Sequence, residues 1–413
     1  MSTMPTRALQ STGPVPTGVT TAGVAVVGTG VVGLATALGC AQRGIPVTLI
    51  GPAPRSMPDS ASSGAPNGLL FDARIYAISQ LARGLLTEQR VWAQVDPQRM
   101  CAVTRMNVFG DGGGRLQFDA RAAGVERLAT ICEESQLIKA LWLGCSLAPG
   151  ITHLAQGFAA ANFDGDQVRV QLSDGATLEC ALLLGADGKN STVRAAAGIG
   201  AQTSSYGHTA LVANFSCELP HHGIAYQWFT ADEGIVALLP FPGNRVSLVW
   251  SAPQSLVPEL QALAPEQFAH RVALRSERAV GALAPLGERH AFALNRIVVD
   301  RLVRSGVALL GDAAHVVHPL AGQGLNLGLQ DVSEFLRLLQ EREPWRALGE
   351  LVWLRRYERA RAEPIALMRG TVGGLALLFG SQDGRVRRLR NLGLSVVNAM
   401  TPLKHALIRH AMG

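Results

Sequence analysis

Three short segments carry residue types whose spacing could do chemistry on a nucleotide. The first is Gly28-Thr29-Gly30-Val31-Val32-Gly33. Glycines at these intervals permit a tight turn, close approach of the backbone to a pyrophosphate and close packing of a helix on a strand, while the helix N-terminus adds partial positive charge. The second segment places Asp187-Gly188 directly after the apolar run Leu182-Leu183-Leu184-Gly185, with Arg194 closing it. In the third, Gly311-Asp312-Ala313-Ala314-His315 leads through His318 and Pro319 into Gly322-Gln323-Gly324-Leu325-Asn326.

Each of these has a plainer reading beside the chemical one. Asp312 could cap the helix that begins near Ala313, a role compatible with ligand binding. Asp187-Gly188 could be only a turn. His315 and His318 stand at i and i+3 without a third ligand, which favours a structural role, so no metal is assigned. The dinucleotide fingerprint also expects an acid at the end of its second strand, where this chain has Gly51; Asp59, Asp72 or water could reach the ribose instead.

The elements that must position these residues follow from hydropathy and turn signals. Residues 22–50 read as strand, glycine turn, helix and second strand, the βαβ opening of a doubly wound sheet. Hairpins are predicted over 106–118 and 168–180, a helix over 128–143, and a short apolar strand over 181–185. The segments 209–218, 225–230, 235–241 and 245–251 alternate apolar and polar residues and predict an antiparallel sheet inserted into the nucleotide-binding domain. Residues 253–285 and 330–413 read as mainly helical. The expected organisation is a disordered tail over 1–21, a Rossmann-like domain over 22–198 with early substrate-domain segments at about 72–120, a substrate sheet over 199–300, a return to the first domain over 301–340 and a basic helical region over 341–413.

Composition narrows the class. With 413 residues, 48% of them hydrophobic and 16% charged, the chain is too apolar for a disordered protein and too long for a disulfide-stapled module. Its six cysteines are scattered singly, as reduced, buried thiols would be. The opening residues lack the order of a secretory signal, so a cytosolic protein is expected. The uncharged run 22–41 is long enough to span a bilayer, but its five glycines suit a buried strand, turn and helix. Net charge is +6, and residues 341–413 alone carry +7. There Arg385, Arg387, Arg388, Arg390, Lys404 and Arg409 interleave with apolar residues, a pattern that suits an anionic membrane, an acidic partner or a helical layer with one solvated face.

The three motifs, in this order, resemble those of the class A flavoprotein monooxygenases. The closer resemblance is to the ubiquinone-biosynthesis hydroxylases, through Phe71-Asp72-Ala73-Arg74-Ile75-Tyr76-Ala77-Ile78-Ser79 and the block from Gly311 to Asp331. It runs from about residue 22 to the C-terminus. What it implies is an α/β fold: a Rossmann-like FAD-binding domain, an inserted antiparallel β-sheet substrate domain and a helical C-terminal region. By the same resemblance Gly28, Gly30 and Gly33 would hold the FAD pyrophosphate and Gly311-Asp312 the ribityl or ribose hydroxyls. Pro319 would border the flavin, and Gly322, Gln323, Gly324, Leu325 and Asn326 would lay backbone groups along the isoalloxazine. Asp187 would lie between FAD and the approach of NAD(P)H, with Arg194 anchoring its segment, and Arg74 would be the arginine near the flavin. Glu134 aligns where such enzymes often carry an amide facing the cofactor.

The activity implied is hydroxylation of the aromatic ring of a polyprenyl-phenol or quinone precursor, with NADH or NADPH as transient electron donor and O2 delivered through a flavin hydroperoxide. Tyr226, Trp228, Leu239, Pro240 and Phe241 are candidates for the substrate wall, with core packing as their plainer fate. No catalytic acid or base is assigned, and no nucleic-acid partner. The basic end would rest on the inner face of the membrane or join a biosynthetic complex. The alternatives are the same flavin chemistry on a soluble phenolic or polycyclic aromatic, and a flavoprotein-like scaffold, not an enzyme, that organises a membrane-associated biosynthetic complex through its basic tail.

Overall fold

A computed structural model describes residues 19–20, 23–54, 71–164, 167–230, 232–317, 323–380 and 391. Four sheets and eight α-helices are described. The helices are α1 (Val31–Gln42), α2 (Gln80–Glu88), α3 (Glu134–Leu147), α4 (Thr192–Ala196), α5 (Val257–Ala262), α6 (Pro265–Arg275), α7 (Gln323–Gln340) and α8 (Leu351–Gly380).

The nucleotide-type sheet has six strands in the order Val303–Arg304, Val307–Leu309, Leu182–Gly185, Val24–Val27, Val47–Ile50, Ile151–Leu154. All neighbours are parallel except the first hairpin. Its central strands are continuous apolar runs because both faces are covered, which is the pattern a parallel sheet requires. The crossover from Val24–Val27 to Val47–Ile50 is α1, so the glycine turn lies at the carboxyl edge of the sheet, where open α/β sheets bind ligands.

The second large sheet has eight strands: His315–Val316, Leu283–Val299, Ala201–Cys217, Arg245–Pro253, Gly234–Phe241, Ile224–Thr230, Arg105–Gly110 and Arg115–Asp119. Every pair is antiparallel except Ile224–Thr230 with Arg105–Gly110. One face packs on α5 and α6 through Trp228, Val236, Leu238, Trp250 and Phe268. The other meets a three-stranded sheet, Ile75–Ile78, Ala129–Glu133 and Cys101–Val103, through Ala225, Leu239 and Phe241. The segment after Gly311 joins the two large sheets, since Val307–Leu309 belongs to the first and His315–Val316 to the second.

Two expectations are corrected. The predicted helix over 128–143 begins as a strand, Ala129–Glu133, and only then becomes α3. Thr130 and Ile131 are β-branched and pair on both sides, so tertiary context sets the state. The helical reading of 253–285 holds for α5 and α6, but Leu283 opens a 17-residue strand. Pro285, Gly287 and weak alternation obscured it in the sequence. The expected tail and all of the basic segment 381–413 except Asn391 lie outside the described residues.

Candidate functional site

The site is built where α1, the turn at Gly311 and α7 meet. Gly28 has φ 119°, and a Cβ there would stand 2.2 Å from the Ala186 carbonyl oxygen. A Cβ on Gly33 would stand 2.0 Å from the oxygen of Gly28. Both glycines therefore allow close approach between backbone segments of this chain. Gly30 differs, because nothing lies within 4 Å of where its Cβ would be. It caps α1 with no side-chain hydrogen bond and no acid in the first turn, so no side chain of the cap or first turn offsets the partial positive charge of that helix end. Gly324, at the start of α7, is equally open, and that helix also lacks an acid in its first turn.

Val32 ties the three elements together. Its side chain lies 3.1 Å from where a Cβ on Gly311 would be and 2.9 Å from that of Gly328. Gly311 takes φ 60° and opens the short turn that carries Asp312. The Asp312 side chain is open to solvent yet crowded by protein atoms, and this burial raises its carboxyl above the usual range, while His315, Arg74 and Lys189 pull it back.

Arg74 projects into the same charge field. Its guanidinium lies 3.2 Å from Glu134 Oε2 and 5.4 Å from the centre of the Phe292 ring. The Tyr76 hydroxyl donates to Glu134 Oε1 at 2.9 Å. Burial works against the Arg74 charge, but Glu134, Tyr76 and Asp312 more than offset it, so the guanidinium is held above its usual value. Burial, with Glu134, likewise pushes the Tyr76 phenol well up. The segment carrying Arg74 is held from several sides. Asp72 N–H donates to Glu133 at 2.6 Å, Asp72 Oδ2 accepts Ser135 N–H at 2.8 Å and its carbonyl accepts Asn214 Nδ2 at 3.0 Å. Glu133 is fully buried and paired with Arg99 through two bonds of 2.7 Å.

The other expected site residues are placed as follows. The Asp187 carboxylate accepts from Ser191 Oγ, Thr192 N, Thr192 Oγ1 and Val193 N, all within 3.1 Å, and so caps α4. Arg194 donates to the Ala313 and Lys189 carbonyls, fastening this segment to the turn that bears Asp312. Asn326 is buried, and its side chain clamps the strand before α2, with Nδ2 donating to Ala77 O and Oδ1 accepting from Ser79 N–H. Leu325 is half-buried. Pro319, Gly322 and the side chain of Gln323 lie outside the described residues, as does Asp59. Gly51 has φ 142°, its carbonyl accepts His153 Nε2 at 2.8 Å, and Thr29 closes the same corner by donating to Pro52 O.

Tyr226, Trp228, Leu239, Pro240 and Phe241 do not share a wall. The pleat turns Tyr226 and Trp228 towards α5 and α6, in a stack with Phe109, and Pro240 lies in register with Val246 of that cluster. Leu239 and Phe241 face the three-stranded sheet with Phe71 and Ile75. Sequence reasoning missed Asp331 and Arg361 as site residues. Asp331 lies at the end of the Gly311 block, a signal that could have found it, whereas nothing near Arg361 announces its role. His315 pairs with Asp331 at 2.7 Å, and no cluster that could hold a metal occurs among the described residues.

The uncapped N-terminus of α1, the Gly30 cradle without a Cβ and the carboxylate of Asp312 fit a dinucleotide with a pyrophosphate and a polyhydroxylated chain. A parallel sheet carrying these turns, joined by an Asp312 bridge to a large antiparallel sheet, is the class A flavoprotein monooxygenase architecture. A family described as FAD binding domain matches residues 21–366. The chain is 35% identical to the ubiquinone hydroxylase UbiL of Rhodospirillum rubrum, over 83% of its own length and 80% of the relative's. It is 33% identical to the 3-demethoxyubiquinol 3-hydroxylase of Escherichia coli, over 92% and 95%. The crystal structure of p-nitrophenol 4-monooxygenase PnpA from Pseudomonas putida superposes with a TM-score of 0.73 at 17% identity, covering 96% of this chain and 99% of that one, a likeness of fold. The chain belongs to the ubiquinone-biosynthesis hydroxylases of the class A flavoprotein monooxygenases, and it is an FAD-dependent aromatic-ring hydroxylase.

Proposed function

We propose that the protein hydroxylates the ring of a polyprenylated ubiquinone precursor with O2 and electrons from NADH or NADPH. The observation that carries this reading is the convergence on one cleft of the uncapped α1 terminus, Asp312 and the Arg74–Glu134–Tyr76 cluster. Bound FAD supplies the chemistry that couples nicotinamide oxidation to activation of O2. The protein's part is placement. Gly30 and the first turn of α1 would hold the pyrophosphate, with Gly28 and Gly33 allowing the tight turn that brings them there, and Asp312 would hold the hydroxylated chain. Arg74 brings a fixed positive charge, oriented by Glu134, and Tyr76 O–H fixes the Glu134 carboxylate in turn. The large sheet would have to keep water from the reacting ring, which a reactive oxygen donor requires.

No helix among the described residues is long and apolar enough to cross a membrane. We place the enzyme on the inner face of the cytoplasmic membrane, or in a biosynthetic complex there, through the basic residues 381–413. Flotation with anionic vesicles tests this, and unchanged binding after removal of 381–413 would refute it. The function itself is tested by the lipid-quinone profile of cells with and without the gene. A fall in ubiquinone with accumulation of a precursor lacking one ring oxygen supports the reading, and the missing oxygen names the carbon. An unchanged profile moves a soluble phenolic substrate ahead.

A further inference from the structure

We infer that Phe292 is a positioning residue for Arg74: it fixes the plane of the guanidinium so that the Nε and Nη2 edge is held for an acceptor atom of bound FAD. The inference rests on the flavin-hydroxylase reading above. The two residues come from different sheets. Arg74 immediately precedes Ile75–Ile78 of the three-stranded sheet, whereas Phe292 stands in the 17-residue strand Leu283–Val299 of the eight-stranded one. The guanidinium carbon lies over the Phe292 ring, 5.4 Å from its centre.

Glu134 does not fix that plane by itself. Both of its oxygens meet one nitrogen, Nη1, at 3.3 and 3.2 Å. A group held at one nitrogen pivots about it, and Arg74 Nε and Nη2 bond no described residue. The Phe292 ring supplies the missing restraint, because a cation loses its attraction to an aromatic face as it swings off that face. His290, two residues away on the same strand, stacks beside the ring at 6.5 Å and 20°. Phe292 is 38% exposed and the Arg74 side chain 53%, so the pair borders open space and a ligand can reach the free edge.

The same sheet face grips the Arg74 segment a second time. Phe292 stands opposite Ala210, which shares a face of its strand with Val212 and Asn214, and Asn214 Nδ2 bonds the Asp72 carbonyl. The large sheet thus holds both the backbone just before Arg74 and the tip of its side chain. Asp312 lies near enough for its charge to act on the guanidinium, which sets the free edge beside the turn assigned to the FAD hydroxyls.

The test is a double-mutant cycle on FAD affinity, read by fluorescence titration of the apoprotein. Arg74→Ala is expected to weaken FAD binding. Phe292→Leu is expected to weaken it about two- to fivefold when Arg74 is present, the range one partly exposed cation–π contact supports, and to change nothing in the Arg74→Ala background. Phe292→Tyr keeps the ring and should bind FAD as the wild type does. Equal weakening by Phe292→Leu in both backgrounds means that Phe292 acts without Arg74, and overturns the inference. So does wild-type affinity in Phe292→Leu, or a loss in Phe292→Tyr as large as that in Phe292→Leu. Unchanged affinity in Arg74→Ala means that the guanidinium does not touch the cofactor, and the inference falls while the flavin-hydroxylase reading stands. A wild-type apoprotein that takes up no FAD overturns the two together.

Discussion

The Asp331 carboxylate accepts the backbone N–H of Gly311 at 2.9 Å, so a side chain in the middle of α7 fixes the turn that presents Asp312. The same carboxylate takes His315 Nε2 at 2.7 Å and Arg361 Nε at 2.7 Å, and all three side chains are buried. One acid thus joins the turn, the edge strand of the large sheet, α7 and α8. Burial alone would raise its carboxyl, but His315, Arg361 and the Gly311 N–H prevail and hold it below the usual 3.8.

Asp331→Asn is therefore expected to destabilise the fold by about 3–5 kcal/mol, because Arg361 keeps its buried charge and loses its counterion. The variant should also release FAD more readily, since Gly311 is no longer held. Because the folded carboxyl is depressed relative to the unfolded chain, its stabilisation is complete above the ordinary aspartate range and is lost as pH falls through the folded value. Denaturant unfolding of both proteins against pH should show a gap that is constant near neutrality and closes in acid. A gap independent of pH would place the stabilisation elsewhere.

The glycines of the first motif separate by role. Gly33→Ala drives a methyl against the Gly28 carbonyl and should cost about 1–3 kcal/mol of stability in the apoprotein. Gly30→Ala meets nothing and takes an ordinary extended conformation, φ −79°, so the apoprotein should fold with near-normal stability. Its methyl enters the space proposed for the pyrophosphate, and FAD affinity should fall about tenfold or more. Thermal melts of the apoproteins with FAD titration by fluorescence distinguish the two variants.

Much of this was legible in the chain because the motif residues act locally. Gly28, Gly30 and Gly33 stand in one turn, and the runs Val24–Val27 and Leu182–Gly185 are apolar throughout, as only doubly covered strands need to be. What stayed hidden depends on distant partners. Ala129–Glu133 is a strand because Ile75–Ile78 and Cys101–Val103 flank it, 26 or more residues away in sequence. Arg361 matters through Asp331, 30 residues earlier, and no local pattern encodes that pairing. The substrate wall failed for a different reason. Neighbouring aromatic and apolar residues on a strand point to opposite faces, so Tyr226 and Leu239 could be nominated together only by ignoring the pleat.

Asp187 accepts four hydrogen bonds at the start of α4, and Arg194 fastens that helix to Ala313. Asp187→Ala should cost about 1–2 kcal/mol through the lost cap. Its second effect is on position, since Arg194 loses a fixed base from which to reach the turn bearing Asp312. The KM for NADH or NADPH should rise if the segment also borders the nicotinamide approach. Steady-state kinetics against chemical denaturation separates the two effects: a stability loss with unchanged KM would leave Asp187 a cap alone.

Gly51 stands where the dinucleotide fingerprint carries an acid, so Gly51→Glu restores the expected residue on paper. The backbone argues against a gain. With φ 142° the position lies in a region L-residues rarely adopt, and a Cβ would come within 3.2 Å of Thr29 Cγ2. Strain of this kind costs about 1–3 kcal/mol. Relieving it by rotating the backbone would pull the Gly51 carbonyl from His153 and the neighbouring Pro52 carbonyl from Thr29. Gly51→Glu should therefore melt lower and bind FAD no more tightly than the wild type. Tighter FAD binding in the variant would mean that the corner relaxes freely, and that only the missing acid limits affinity at this strand end.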